Sequence, residues 1–206
     1  MSNLFSIEGK LFQFLGRLAD LIILNFLCLI CCVPIITIGA SVTALCSVTL
    51  KMAKNEEAYI FRSFFKSFKM NFKQSTIAWC LIAFVGIILH FDFTISAQLP
   101  LAIRKLVQGV SLFTFFILAS ITNYIFPLIA SFENKTHFMF KNAFLLSLGR
   151  FPTTLLLLLF TIGPSILMTE SPHIFLLGIT FYLFIGVSTT AFMSSYLINR
   201  VFKILK

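Results

Sequence analysis

The side chains able to do chemistry are few and scattered. The densest group is Cys28, Cys31 and Cys32 in "CLICC", whose Cys-x-x-Cys spacing is shared with metal and thiol-redox sites. A metal site needs about four ligands and a supporting hydrogen-bonded shell, and neither flanks this stretch. Cys46 and Cys80 stand alone, and no cysteine pair lies in a polar loop where an extracytoplasmic disulfide would serve. The five are read as small, polarizable packing residues. Hydrolytic chemistry would need paired acids, a Ser–His pair or a metal cluster. The acids Glu8, Asp20, Glu56, Glu57, Asp92, Glu133 and Glu170 are dispersed, and so are His90, His137 and His173. No HExxH, GxSxG or Gly-rich phosphate loop occurs. The expectation is a non-enzymatic protein with no catalytic residue, no cofactor and no metal.

A second constellation is aromatic and basic. In "YIFRSFFKSFKMNFKQST", residues 59–76, Phe61, Phe64, Phe65, Phe68 and Phe72 are interleaved with Arg62, Lys66, Lys69 and Lys73. Rings among cations can stack nucleic-acid bases or lie on a membrane. At about 100° per residue the rings cover an arc of roughly 100° and the cations a neighbouring arc of roughly 60°. That is the pattern of an interfacial helix over 59–74, with rings at the acyl boundary and cations on anionic headgroups, or of a helix seated in a protein groove as a partner contact. Rings next to membrane spans bury in lipid rather than stay open to bases, so nucleic acid is excluded as a partner.

The elements that must position these residues follow from composition. Of 206 residues, 59% are hydrophobic and only 11% charged, against about a quarter charged in an average soluble protein. The fold class expected is all-α, a polytopic membrane protein of one domain. Spans of about 20 apolar residues are expected over 18–39, 76–95, 109–132, 153–168 and 174–198. The first run is much longer than the 7–15 residues of a signal peptide, so it is read as a span. Of the Lys and Arg residues, 12 fall between spans one and two, between three and four, or after five, and 4 on the other side. This split places the C-terminus in the cytoplasm and the N-terminus outside. Two points stay open. "LFSIEGKLFQFLGRLAD" is amphipathic, with Phe5, Leu11, Phe12, Leu15 and Leu18 near one face. "IITIGASVTALCSVTL" is apolar enough for a re-entrant or additional helix, which gives six spans and a cytoplasmic N-terminus.

Polar residues inside spans mark function or packing. Asp20 is placed to pair with Arg17 at i, i+3. His90 and Asp92 lie near the outer end of span two, as a proton site or a boundary marker. Asn25 and Asn123 are deeper, and each is expected to hydrogen-bond a neighbouring helix. Pro34 must bend its helix. Gly39, Ala40 and Ala44 allow close backbone approach. In the last span Gly178, Tyr182, Gly186, Thr190 and Ser194 recur every fourth residue, a small-residue stripe expected to form a close helix–helix contact, internal, with a second copy or with another membrane protein.

Two segments together, "LNFLCLICCVPIITIGASVTAL" and "EEAYIFRSFFKSFKMNFKQST", resemble the YesL family of small bacterial membrane proteins of unknown function. The shared pattern is Pro34, Thr37 and Gly39 after the first apolar run, then Phe65, Phe68, Asn71 and Phe72 before the next. The resemblance covers roughly the first 75 residues; the later spans fit by length and hydropathy. It implies an accessory role in carbohydrate uptake, with an ABC-transporter permease among candidate partners, and supplies no catalytic residue. The function expected is an accessory or regulatory membrane protein; the alternative is a small oligomeric transporter or channel.

Overall fold

The computed structural model describes residues 10–56 and 59–203, all in helices and their connections. The helices are α1 (Lys10–Cys32), α2 (Ile38–Met52), α3 (Ile60–Ser96), α4 (Leu101–Ser131), α5 (Thr136–Gly149), α6 (Phe151–Leu167), α7 (Pro172–Phe181) and α8 (Val187–Phe202). A 3-10 turn, Ile35–Thr37, precedes α2, and a π turn, Tyr182–Gly186, joins α7 to α8. Five stretches are long and apolar enough to cross a bilayer: Gln13–Cys32, Ile35–Met52, Ile60–Ser96, Leu101–Ser131 and Pro172–Phe202. The α5–α6 pair, bent by 103°, makes a sixth if counted as one span. The all-α class is as expected. The five stretches are not the five expected.

The segment read as one span over 18–39 is the start of a helical hairpin. Pro34 has no N–H to continue α1, and Thr37 Oγ1 donates to the carbonyls of Cys31 (2.6 Å) and Pro34 (2.7 Å), taking up acceptors that a helix end leaves open. The chain then turns back as α2. Leu21, Leu24 and Cys28 of α1 pack with Ala44, Leu45 and Val48 of α2, and Ala40 and Ala44 are fully buried. At its other end α2 closes in a Schellman arrangement: the N–H of Glu56 donates to Lys51 O and that of Asn55 to Met52 O, both 3.1 Å. Asn55 takes the left-handed conformation this needs, at φ 58°. Its Oδ1 accepts from Arg17 Nη2 at 2.7 Å. Arg17 therefore lies beside the α2–α3 turn, not opposite it, and the expected Arg17–Asp20 pair gives way to Asn55. Of the amphipathic N-terminal stretch, Phe5 and the side chains of Leu11 and Phe12 lie outside the described residues; Leu15 and Leu18 are exposed.

The interfacial helix expected over 59–74 and the span over 76–95 are one unbroken helix. The 37 residues of α3 measure about 55 Å at 1.5 Å per residue, against about 30 Å of hydrocarbon. The ring stripe does not face lipid as a unit. Phe64 is 0% exposed, enclosed with Leu24, Leu45, Val48 and Met52. Phe65 and Phe68 are half-buried beside it, and Phe61 remains 63% exposed. The protein groove that stood as the alternative to the bilayer is supplied in part by α2. Gly39 permits this contact: a Cβ there would collide with the Ser75 carbonyl oxygen and lie 2.6 Å from Trp79 Cβ. Ser75 Oγ donates to Thr43 Oγ1 at 2.8 Å. Asn71, the polar member of the family motif, donates to Ser67 O at 3.1 Å on its own helix. Arg62, Lys66, Lys69 and Lys73 are exposed.

Trp79 Nε1 donates to Ile35 O at 2.9 Å, tying the hairpin tip to α3. Ser96 ends α3 seventeen residues later, about 25 Å further on. The hairpin thus reaches only part of the way along the bundle. The remaining helices close around a second core, in which Ala78 and Ile82 meet Ile125 and Ile129 of α4, Met139 of α5 and Ile198 of α8. Tyr124 and Thr154 hydroxyls, 3.1 Å apart, join α4 to α6. The stretch read as a span over 153–168 is α6, which starts anew at Phe151–Pro152 after the sharp bend from α5. The span read over 174–198 is α7 and α8 with the π turn between them.

Candidate functional site

Where the hairpin stops short, α2, α3, α4, α6 and α8 line a half-open cavity of about 550 Å³. Its wall holds no charged side chain and is mostly apolar, including Trp79, Phe115 and Phe126. The polar exceptions are Thr122 and Asn123 on α4, Thr161 on α6, and Thr190, Ser194 and Ser195 on α8. Binding sites for small molecules have this character, an apolar concavity of about 300–1,000 Å³ with a few polar groups. A second cavity of about 450 Å³ shares Gly86 and Phe115 with the first and runs between α3 and α4 toward His90 and Ser111.

Most of the hydroxyl protons in the wall are already used. Thr122 Oγ1 donates to Leu118 O (2.8 Å), Thr161 Oγ1 to Leu157 O (2.9 Å) and Thr190 Oγ1 to Val187 O (2.9 Å). Ser195 Oγ lies 2.8 Å from both Ala191 O and Thr49 Oγ1. Asn123 Nδ2 reaches Ala119 O at 3.1 Å and Thr161 Oγ1 at 3.4 Å. Asn123 thus bonds a neighbouring helix, as expected. Ser194 is 8% exposed and its Oγ has no partner.

Asn25 closes the side of the bundle below. Fully buried on α1, its Nδ2 donates to the carbonyls of Tyr182 (3.1 Å) and Leu183 (2.8 Å), and its Oδ1 accepts from Ser188 N (3.0 Å). All three groups belong to the π turn or its edge. A π turn carries an extra residue and widens the helix locally, and one amide side chain holds it to the hairpin.

The other anticipated groups disperse. All five cysteines are free thiols, with Cys28 Sγ and Cys32 Sγ 4.0 Å apart. Among the described residues no three His, Cys, Asp or Glu side chains converge. His90 and Asp92 are exposed near the end of α3. A shallower cleft of about 350 Å³ at the opposite end collects Arg17, Asp20, Asn55 and Glu56. The stripe on the last span is not one seam. Gly178 lies against Met168, with Cγ 2.7 Å from where a Cβ would stand, Gly186 lies under its own Tyr182, and Thr190 faces the cavity. The π turn rotates the faces before and after it out of register, which breaks the four-residue spacing.

Residues 21–93 match the family model described as "Protein of unknown function, DUF624". That range runs from α1 through most of α3 and includes the hairpin, its tip and the aromatic-basic half of α3. The chain is similar to uncharacterized protein YesL of Bacillus subtilis (strain 168), at 26% identity over 190 residues, covering 91% of this chain and 85% of that protein. It is also similar to uncharacterized protein YteU of the same organism, at 25% identity over 115 residues, 56% of this chain and 51% of that one. No solved structure matches. The family model on the hairpin and α3, with similarity to YesL along nearly the whole chain, supports a YesL-family domain of unknown function.

Proposed function

We propose that the protein is an integral protein of the bacterial cell membrane and works, without enzymatic activity, as an accessory partner of another membrane complex. The hairpin supports an orientation with both chain ends in the cytoplasm. Among the described residues, Arg104 and Lys105 alone of the Lys and Arg residues follow α3 at its far end, and the other thirteen fall, by chain order, on the side of the α2–α3 turn. This division is sharper than the twelve to four of a five-span reading with its N-terminus outside, and obeys the same positive-inside rule. The half of α3 that carries Arg62, Lys66, Lys69 and Lys73 then stands at the cytoplasmic surface, where anionic headgroups or an acidic partner would meet it.

The observation that carries the accessory reading is α7. Not one of its residues, Pro172–Phe181, is buried, and Leu177 is 71% exposed. A helix so little enclosed by its own chain gives its surface to something else. A transporter would instead show charged or strongly polar midplane groups, and the central cavity offers only neutral ones. The partner proposed first is the permease of a carbohydrate ABC transporter, as the resemblance to the YesL family implies. The test is site-specific photo-crosslinking in cells from Leu177, with Phe93 as a comparison. A discrete adduct with a larger membrane protein at Leu177 supports the reading. Lipid adducts alone at both positions, with saturable sugar uptake by the purified chain in liposomes, would replace it with the small-transporter alternative.

A further inference from the structure

We propose that the first half of α3, its basic arm, is a docking surface for an acidic amphipathic helix of the partner protein. The inference rests on the accessory reading and names the chemistry of one contact. Two ladders run side by side on the arm. Phe61, Phe65, Phe68 and Phe72 recur at steps of four, three and four residues, and Arg62, Lys66, Lys69 and Lys73 repeat the same steps one residue later. Alternating steps of four and three are those of a coiled-coil seam, with charges flanking the apolar positions. The protein's own packing uses a different face. Phe64, Ser67, Ser75 and Ala78 are the buried residues along this stretch, and Phe64 and Ser75 meet α2. The cations stand about 160° around the helix from that face. All four are exposed, as are Phe61 and Phe72, while Phe65 and Phe68 are half-buried between the two faces. The single acid of α3, Asp92, lies at its other end.

Geometry selects the occupant. The polar α4–α5 turn meets α3 at Gln74, whose Nε2 donates to Asn134 O at 2.8 Å. Exposed apolar side chains free of any charge then run from Ile77 through Leu81, Phe84 and Ile88, so the hydrocarbon begins near this level. From there the cation ladder climbs along α3 for eleven residues, about 16 Å, whereas the headgroup layer is about 5–8 Å deep on each side. Headgroups meet Lys73 and Lys69, and Lys66 and Arg62 stand beyond them. A separate surface laid along the arm would reach all four; the protein's own bilayer does not. Nucleic-acid bases need open ring faces, but these rings pack on one another, Phe61 on Phe65 at 4.8 Å and Phe68 on Phe72 at 5.6 Å between centroids. A second copy would set cations against cations. What fits is a protein segment with carboxylates in step with the rungs. The rungs climb about 5.5 Å apart, close to the 5.4 Å pitch of a helix. Alternate residues of a strand stand about 6.7 Å apart and fall out of step by about 4 Å over three intervals. A helix carrying an acidic column beside an apolar one keeps step with both ladders.

The experiment places the full-length protein in phosphatidylcholine nanodiscs and titrates it with a fluorescent synthetic helix of about 20 residues, long enough to hold its fold. Its Leu column and neighbouring Glu column are spaced to match the two ladders. A peptide of the same composition with Glu moved to the opposite face is the control, and a single-stranded oligonucleotide is the competitor. The matched helix should bind saturably, and the control about tenfold more weakly or worse, since each exposed ion pair is worth about 1.4- to 5-fold. Arg62→Glu combined with Lys66→Glu should weaken the matched helix by about tenfold or more, without lowering the melting temperature, because both side chains are exposed. Discs containing anionic phosphatidylglycerol should give the same ranking. No saturable binding, equal binding of the two helices, displacement by the oligonucleotide, or a matched helix indifferent to the double reversal would each overturn the proposal. The Leu177 adduct separates this outcome from that of the accessory reading. An adduct whose yield survives the double reversal leaves the accessory reading standing and sinks the docking helix. An absent adduct with the matched helix still bound counts against the accessory reading alone.

Discussion

Asn25→Leu should be among the most damaging single changes in this protein that keep the side chain's branched shape. Leucine has that shape with bulkier methyl ends, so the main perturbation is the loss of three hydrogen bonds to the backbone of Tyr182, Leu183 and Ser188, with some overpacking added. Side-chain hydrogen bonds between membrane helices average about 0.6 kcal/mol and reach about 1.7. Three of them give a loss of about 2 to 5 kcal/mol, and the upper part of that range applies if the π turn cannot relax, because its backbone groups are then orphaned. Asn25→Asp should cost at least as much. It keeps the acceptor for Ser188 N but sets an acceptor against two carbonyls. The readout is built into the chain. Trp79 is the sole tryptophan, and its indole N–H holds the hairpin tip, so denaturant titration followed by Trp fluorescence reports hairpin docking. A midpoint for Asn25→Leu equivalent to less than about 0.5 kcal/mol of destabilisation, the scale of a neutral surface change, would refute the clasp.

Further expectations concern packing and topology. Gly39→Ala should destabilise by about 1–3 kcal/mol, as overpacking does, because its Cβ meets the α3 backbone, while Gly109→Ala, with nothing within 4 Å, should stabilise by about 0.5–1 kcal/mol; both are measured by thermal unfolding in detergent. Phe64→Ala should cost about 3–5 kcal/mol, whereas Phe61→Ala should leave stability nearly unchanged and weaken binding to anionic vesicles. Reporter fusions active only outside the cytoplasm should be active after Gln98 and Ser171 and inactive after Lys54 and Lys141. A cysteine at Gln13 should be labelled from the same side as one at Lys54, and labelling from opposite sides would disprove the hairpin orientation. Gly186→Leu should distort the π turn at Tyr182 and lower stability, with any loss of partner binding following from that, measured by comparing the melting temperature with co-purification yield.

Hydropathy made α3, α4 and the α7–α8 pair legible, because long apolar runs have few alternatives. It could not tell that α2 is apolar for the sake of its neighbours. Over half of its apolar window is buried inside the bundle, far more than for α1 or α3, and a run suited to lipid and a run suited to a protein core read alike. The same ambiguity explains the phenylalanine stripe, whose periodicity is real but whose central ring, Phe64, faces α2. Pro34, Thr37 and Gly39 were visible as a motif, and each has a local cause: a missing donor, a helix-end cap and a close backbone crossing. The partner of Asn25 was not legible, since a π turn is one extra residue in a run that otherwise scans as ordinary helix. Nor was the cavity, which exists because the hairpin ends early. Thr190 and Ser194 were noticed for their spacing, and in the structure both line the cavity.

The uninterrupted course of α3 has a mechanical meaning. Among the described residues α4 contains Pro127, α5 and α6 meet at a sharp bend, and α7 and α8 are joined through a π turn; α3 has no such joint. It is a stiff lever of about 55 Å, with its charged arm at one end and the α3–α4 turn at the other. A tilt of about 5° applied at the basic arm moves the far tip by about 5 Å, given that length. In the orientation proposed above, a push at the basic arm would be carried to the α3–α4 turn as displacement, with no joint in between to absorb it.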